Sequence, residues 1–118
     1  MNGPADPKDI GDITGYHAHV YYDADSKPEA ELLRAQIEDR FDVRLGRWHD
    51  RPVGPHPAWS YQIAFAPEVF AELLPWLALN RGALTVFVHP ETGDALPDHR
   101  DHAIWLGEKA ELNLEALK

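Results

Sequence analysis

Hydrophobic positions recur along this chain with two periods. In Tyr16-His17-Ala18-His19-Val20-Tyr21-Tyr22 every second residue is apolar, and aromatic and β-branched types dominate, which predicts a strand from about Gly15 to Tyr22. Strand side chains alternate, so His17, His19 and Tyr21 share one face while Ala18, Val20 and Tyr22 share the other. Asp23-Ala24-Asp25-Ser26 reads as a turn. Ser26 and Glu29 have capping-box spacing and Pro28 suits a first helical turn, so a helix should follow to about Arg40. Ala30, Leu33, Ile37 and Phe41 step by three and four residues and mark its buried stripe.

Alternation returns in Val43–His49, a second strand, and in Trp59–Phe65, a third. Between them Arg51-Pro52-Val53-Gly54-Pro55-His56-Pro57 can only be a stiff loop. Pro67 opens a second helix whose apolar face is Phe70, Leu73, Leu74 and Leu77, with a kink or early break expected at Pro75. Asn80-Arg81-Gly82 ends it. Leu84–His89 is a fourth strand, stopped by Pro90; Glu91–Asp94 is a turn and Leu96–Asp101 a polar loop. His102–Leu106 is a short fifth strand, and the tail from Glu108 to Lys118 reads equally as an edge strand or a frayed helix.

The order β-α-β-β-α-β plus a short strand is the split-βαβ pattern. It predicts an α+β fold: a ferredoxin-like sandwich, an antiparallel sheet with two helices on one face. The expected organisation is a flexible segment over residues 1–14, the ferredoxin-like domain over 15–108 and a tail over 109–118. Ala18, Val20 and Tyr22 suit the helix-packed face. His17, His19 and Tyr21 then point from the open face, which needs a cover; a homodimer is expected on that ground.

Composition narrows the function. The absence of cysteine among 118 residues excludes disulfides, thiolate metal sites and a Cys nucleophile. It suits a cytoplasmic protein. A net charge of -9 argues against nucleic acid or anionic membrane as partner. No stretch reaches the ~18 apolar residues of a membrane span, and Met1–Asp12 lacks the apolar core of a signal peptide.

Seven histidines point to metal or acid–base chemistry. In the usual strand order of this fold the end of the fourth strand meets the start of the first, which brings His89 to His17 and His19. Neutral imidazoles suit iron, zinc, copper or nickel, and three of them leave positions open. His56, held stiffly between two prolines, is a candidate acid–base group, as is His102, which is preferred to His99. Arg47 and Arg51 could clamp a substrate carboxylate, while Arg44 reads as a surface residue. Trp48 and Trp59 could wall an aromatic pocket, with Tyr21 beside the histidines as a further substrate contact. No nucleophile elbow or phosphate-binding loop is present.

Several blocks, in order, resemble the DOPA 4,5-dioxygenase family: Tyr16–Tyr21, Gly46–His49, Pro52–Tyr61, Leu79–Gly82, Val88–Asp94 and Asp98–Gly107. The resemblance runs from about Gly15 to Glu108. It implies a small extradiol ring-cleaving dioxygenase that uses non-haem iron(II), adopts a ferredoxin-like fold and forms a dimer. Its substrates would be O2 and a catechol, DOPA-like or caffeate-like. The ligand set rests on the strands: His19 and His89, with His17 or an acid from Glu91–Asp101, Asp94 first, as the third. Zinc or nickel could occupy such a site in purified samples. The competing readings are a non-catalytic dimeric ferredoxin-like binding module and a zinc-dependent hydrolase.

Overall fold

The computed structural model describes residues 6–118, so Met1–Ala5 of the N-terminal segment lie outside the described residues. Five strands, β1 (Gly15–Tyr22), β2 (Arg44–Leu45), β3 (Trp59–Phe65), β4 (Thr85–Glu91) and β5 (Ile104–Leu106), form one sheet of order β2-β3-β1-β4-β5. All four pairings are antiparallel. Helices α1 (Lys27–Arg40) and α2 (Phe70–Asn80) supply the other half of the core. Ala30, Leu33 and Ile37 of α1 and Leu73 and Leu77 of α2 are buried with Ala18, Val20, Ile63, Val86 and Val88 of the sheet. Each large aliphatic side chain removed from water there contributes about 1.5–3 kcal/mol. The fold is the α+β, ferredoxin-like sandwich that the pattern predicts. Among the described residues no helix is long and apolar enough to cross a membrane.

Local departures have local causes. Ser26 precedes α1 but makes no side-chain cap; its hydroxyl is engaged with Asp23, whose backbone N–H donates to it at 2.9 Å. The second strand shrinks to Arg44–Leu45 because Gly46, Arg47 and Trp48 stand opposite only Tyr61 and Gln62 before pairing resumes as a bridge from His49 to Ser60. An extra residue of this kind breaks a ladder as a bulge does. Helix α2 does not break at Pro75. The carbonyl deprived of its partner is that of Ala71, and both residues are exposed, so water can replace the bond.

Strand β4 continues through Pro90 to Glu91. The Glu91 carbonyl accepts from Thr14 on the β1 side, so by alternation Pro90 turns its nitrogen to the β5 side, where pairing has already ended at Val88. No ladder bond is lost there. The expected polar loop is a short helix, α3 (Ala95–Arg100), and the tail is neither strand nor α-helix but a 3-10 turn at Leu114–Leu117. That turn packs on α3, and Asn113 donates its backbone N–H to the Pro55 carbonyl at 2.8 Å. Near the other end, Ile10–Asp12 forms a 3-10 turn capped by the Asp9 carboxylate.

On the sheet face away from α1 and α2, the strand register lines side chains in rows. One row is Arg44, Ala64, His17 and His89; the next is Gln62, His19, Phe87 and Trp105; a third is Ser60, Tyr21 and Thr85. The Pro-rich loop brings His56 over this face and α3 brings His99 over it. Much of the face is thus covered from within the chain, and its aromatic residues do not by themselves require a second subunit.

Candidate metal centre

His17 and His89 are register partners on β1 and β4, and His19 follows His17 two residues on, on the same face. One ligand nitrogen from each of the three lies within 4.8 Å of the others. His19 and His89 are buried and His17 is half-buried, at the edge of the group.

Hydrogen bonds set the rings. His17 Nδ1 lies 2.9 Å from Glu91 Oε1, and His89 Nδ1 lies 3.0 Å from the Pro90 carbonyl oxygen. A carbonyl can only accept, and a carboxylate accepts when ionised, so both Nδ1 atoms donate and each Nε2 keeps its lone pair. Glu91 also lies 3.5 Å from His89 Nδ1, so one carboxylate sits behind two of the three rings. This is the outer arrangement that orients metal-binding imidazoles and fixes their tautomer. Burial lowers the pKa of His19 well below the usual range, with His56, His89, His17 and His99 adding to the effect. Burial likewise brings His89 down to about 4 against the Pro90 bond, and lowers His17 against the Glu91 carboxylate. Three neutral imidazoles whose ligand nitrogens converge fit a divalent transition metal by the chemistry of their donors. They are the three ligand candidates of the strand pattern.

The surroundings are aromatic and largely dry. His56 and His19 have ring centroids 4.1 Å apart, and the Tyr21 hydroxyl lies 2.8 Å from His56 Nδ1. Burial lowers the His56 pKa to about 4 and raises that of Tyr21, so at neutral pH the pair is an uncharged imidazole and an intact phenol. Phe87 stacks on Trp105 with centroids 4.5 Å apart and forms the wall beyond His19. Beside His17 opens a cleft of about 440 Å³, whose lining includes Glu91, Ala64 and Arg44.

Other residues singled out in the sequence fall elsewhere. His102 lines a separate cleft with Tyr16, Pro90 and Ile104, the register partners of the helix-packed side. Trp59 packs edge-on to Tyr22 against the core, with Trp48 nearby, so neither walls the histidine group. Arg47 and Arg51 are exposed and outside the cleft beside His17. Asp94 is exposed, just before α3.

Three residues at the site carry more weight here than the sequence pattern gave them. Glu91 follows His89 by two residues, so alternation alone puts it on the same face once the strand is seen to continue past Pro90. Arg44 was legible in the same way from its row. His99 stacks on His89 with centroids 3.8 Å apart, and its Nδ1 lies 2.7 Å from the Ala95 carbonyl. Its placement depends on α3, held by buried Asp98, which accepts from both the Thr92 hydroxyl at 2.6 Å and the Thr92 backbone N–H at 2.8 Å.

The sequence profile of the Dopa 4,5-dioxygenase family matches residues 16–116. A DOPA 4,5-dioxygenase of Amanita muscaria is 36% identical over 115 residues, which cover 90% of this chain and 50% of that one. An uncharacterised 21.2 kDa protein of Botryotinia fuckeliana is 36% identical over 96% of this chain and 68% of its own length. A crystal structure of a Nostoc punctiforme protein provisionally named a dioxygenase superposes with a TM-score of 0.93 at 50% identity, covering 94% of this chain and 96% of the other. The family and these names support a dioxygenase, and the chain belongs to the Dopa 4,5-dioxygenase family.

Proposed function

We propose that this protein is a non-haem iron(II) extradiol dioxygenase that inserts both atoms of O2 into a catechol, DOPA-like or caffeate-like. The observation that carries the reading is the convergence of His17, His19 and His89, with Glu91 behind two of the rings, in a chain of this family. Bound at these three nitrogens, iron(II) would supply the electron transfer between catechol and O2 that organic side chains do not provide.

The chain's own groups do the rest. Glu91 holds His17 with its Nε2 outward, and the Pro90 carbonyl does the same for His89. Phe87 and Trp105 back His19 with a stacked apolar wall. His56 manages protons. The Tyr21 hydroxyl can accept from His56 Nδ1, which leaves a lone pair on Nε2 to take a proton from the catechol. The low pKa of His56 keeps it neutral beforehand and makes the imidazolium quick to return that proton. Such acid–base roles contribute about 10²–10⁴-fold.

The test is to load the protein anaerobically with iron(II), add a catechol panel that includes DOPA and caffeate, then admit oxygen. Oxygen uptake with a yellow ring-opened product is expected. No uptake across the panel and no bound metal would favour the binding module. Bound zinc with no iron-dependent uptake would favour the hydrolase.

A further inference from the structure

The row that carries two of the histidines continues to a cation. Arg44 on β2, Ala64 on β3, His17 on β1 and His89 on β4 are successive register partners on one face. Strands lie about 4.8 Å apart, so Arg44 and His17 stand roughly 10 Å apart at their backbones. Ala64 between them has almost no side chain, and the cleft of about 440 Å³ includes Arg44, Ala64, His17 and Glu91 in its lining. That cleft is therefore lined by both a candidate metal ligand and a guanidinium.

The guanidinium is uncommitted. Among the described residues Arg44 makes no ion pair and no side-chain hydrogen bond, whereas Arg81 bonds Leu84 and Arg100 bonds Asp101. Asp42, two residues earlier and lining the same cleft, forms no ion pair with it. The Glu91 carboxylate is held by His17. In a chain of net charge -9, the one arginine or lysine among the residues lining that cleft is the natural receptor for a substrate anion.

We infer that Arg44 receives the carboxylate of the substrate, so that the enzyme selects catechols carrying a carboxylate on a short side chain, with the diol at the histidines and the carboxylate at β2. This rests on the catechol reading above and adds to it the residue that reads the tail. Ala64 belongs to the same device, because a larger side chain there would fill the space between Arg44 and His17.

Anaerobic binding to the iron(II)-loaded protein tests it with two ligands that differ in the carboxylate, 3-(3,4-dihydroxyphenyl)propionate and 4-ethylcatechol. The wild type should bind the propionate about 10-fold more tightly, the size of one charge-assisted contact. Arg44→Met should abolish that preference while leaving 4-ethylcatechol binding and the melting temperature unchanged, and Arg44→Lys should restore part of it. A preference that survives in Arg44→Met, or an equal loss for both ligands, would overturn the inference. If the wild type binds neither catechol, the dioxygenase reading fails by itself. The role of Arg44 is then decided by 3-phenylpropionate, which should bind the wild type more tightly than Arg44→Met, and equal binding would reject it.

Discussion

His19 Nε2 and His89 Nε2 face each other at 3.2 Å, on a diagonal of the sheet, since the register partner of His89 is His17 and that of His19 is Phe87. His89 donates from Nδ1 to the Pro90 carbonyl, so its Nε2 is the acceptor of this contact and His19 Nε2–H the donor. These two rings, with that of His17, would hold a divalent metal ion.

Removing either partner should therefore remove the site. His19→Ala and His89→Ala are expected to abolish stoichiometric iron(II) binding, while His17→Ala, at the half-buried edge, should weaken it less. Metal-induced stabilisation reports this without turnover. A metal present at 100 times its dissociation constant raises stability by about 2.7 kcal/mol. The thermal shift in the wild type should vanish in the first two variants and shrink in the third.

Glu91 is tested by keeping its shape and removing its charge. Glu91→Gln should lower metal affinity by about 10- to 100-fold, the usual cost of losing a carboxylate behind a metal-binding imidazole. Competition with a metal-sensitive dye would measure it, and unchanged affinity would show that the contact at 2.9 Å does not tune His17.

Tyr21→Phe removes the hydroxyl that meets His56 Nδ1 at 2.8 Å and leaves the ring. Metal affinity should stay constant and folding stability should fall by about 1 kcal/mol. Turnover should fall about 10-fold or more, because His56 loses the partner that sets its tautomer. Loss of metal in this variant would place the pair in the ligand shell instead.

The buried histidines also set a pH dependence. His56 and His89 titrate at about 4 in the folded protein and near 6.5 in the unfolded chain, so the unfolded state gains protons first as pH falls. Their contribution is complete above pH 6.5 and is lost as pH falls from about 6.5 towards 4. Between pH 7.5 and 5 the loss is on the order of 2 kcal/mol for each. Urea denaturation of chelator-treated protein should show this slope, and His89→Phe should flatten it. A stability unchanged over that interval would contradict the buried, neutral state of the rings.

The strand pattern carried most of this site. Alternation in β1 and β4 put His17, His19 and His89 on one face, and the split-βαβ order placed the two strands side by side, so His89, distant in the chain, met His17 and His19 as expected. Glu91 stood only at the edge of an acidic range led by Asp94, because Pro90 reads as a strand terminator, and only the sheet edge shows that its missing N–H costs no bond. The six residues of α3 are too few for an apolar stripe, so nothing in the periodicity aims His99 at His89. The fold of the Pro-rich loop over His19 is a tertiary matter, decided by the Tyr21 hydroxyl and by Asn113 donating to Pro55. Arg44 shares the row of His17 and His89, a placement set by strand register, which nearness to the Pro-rich loop, the ground for Arg47 and Arg51, does not reveal.

Nitric oxide binding to the anaerobic iron(II) protein, followed by electron paramagnetic resonance, probes the iron centre itself. A high-spin iron–nitrosyl signal is expected in the wild type, changing shape when a catechol is added and absent from His19→Ala. A signal that persists in His19→Ala, or one indifferent to catechol, would contradict a substrate-binding iron centre at His17, His19 and His89.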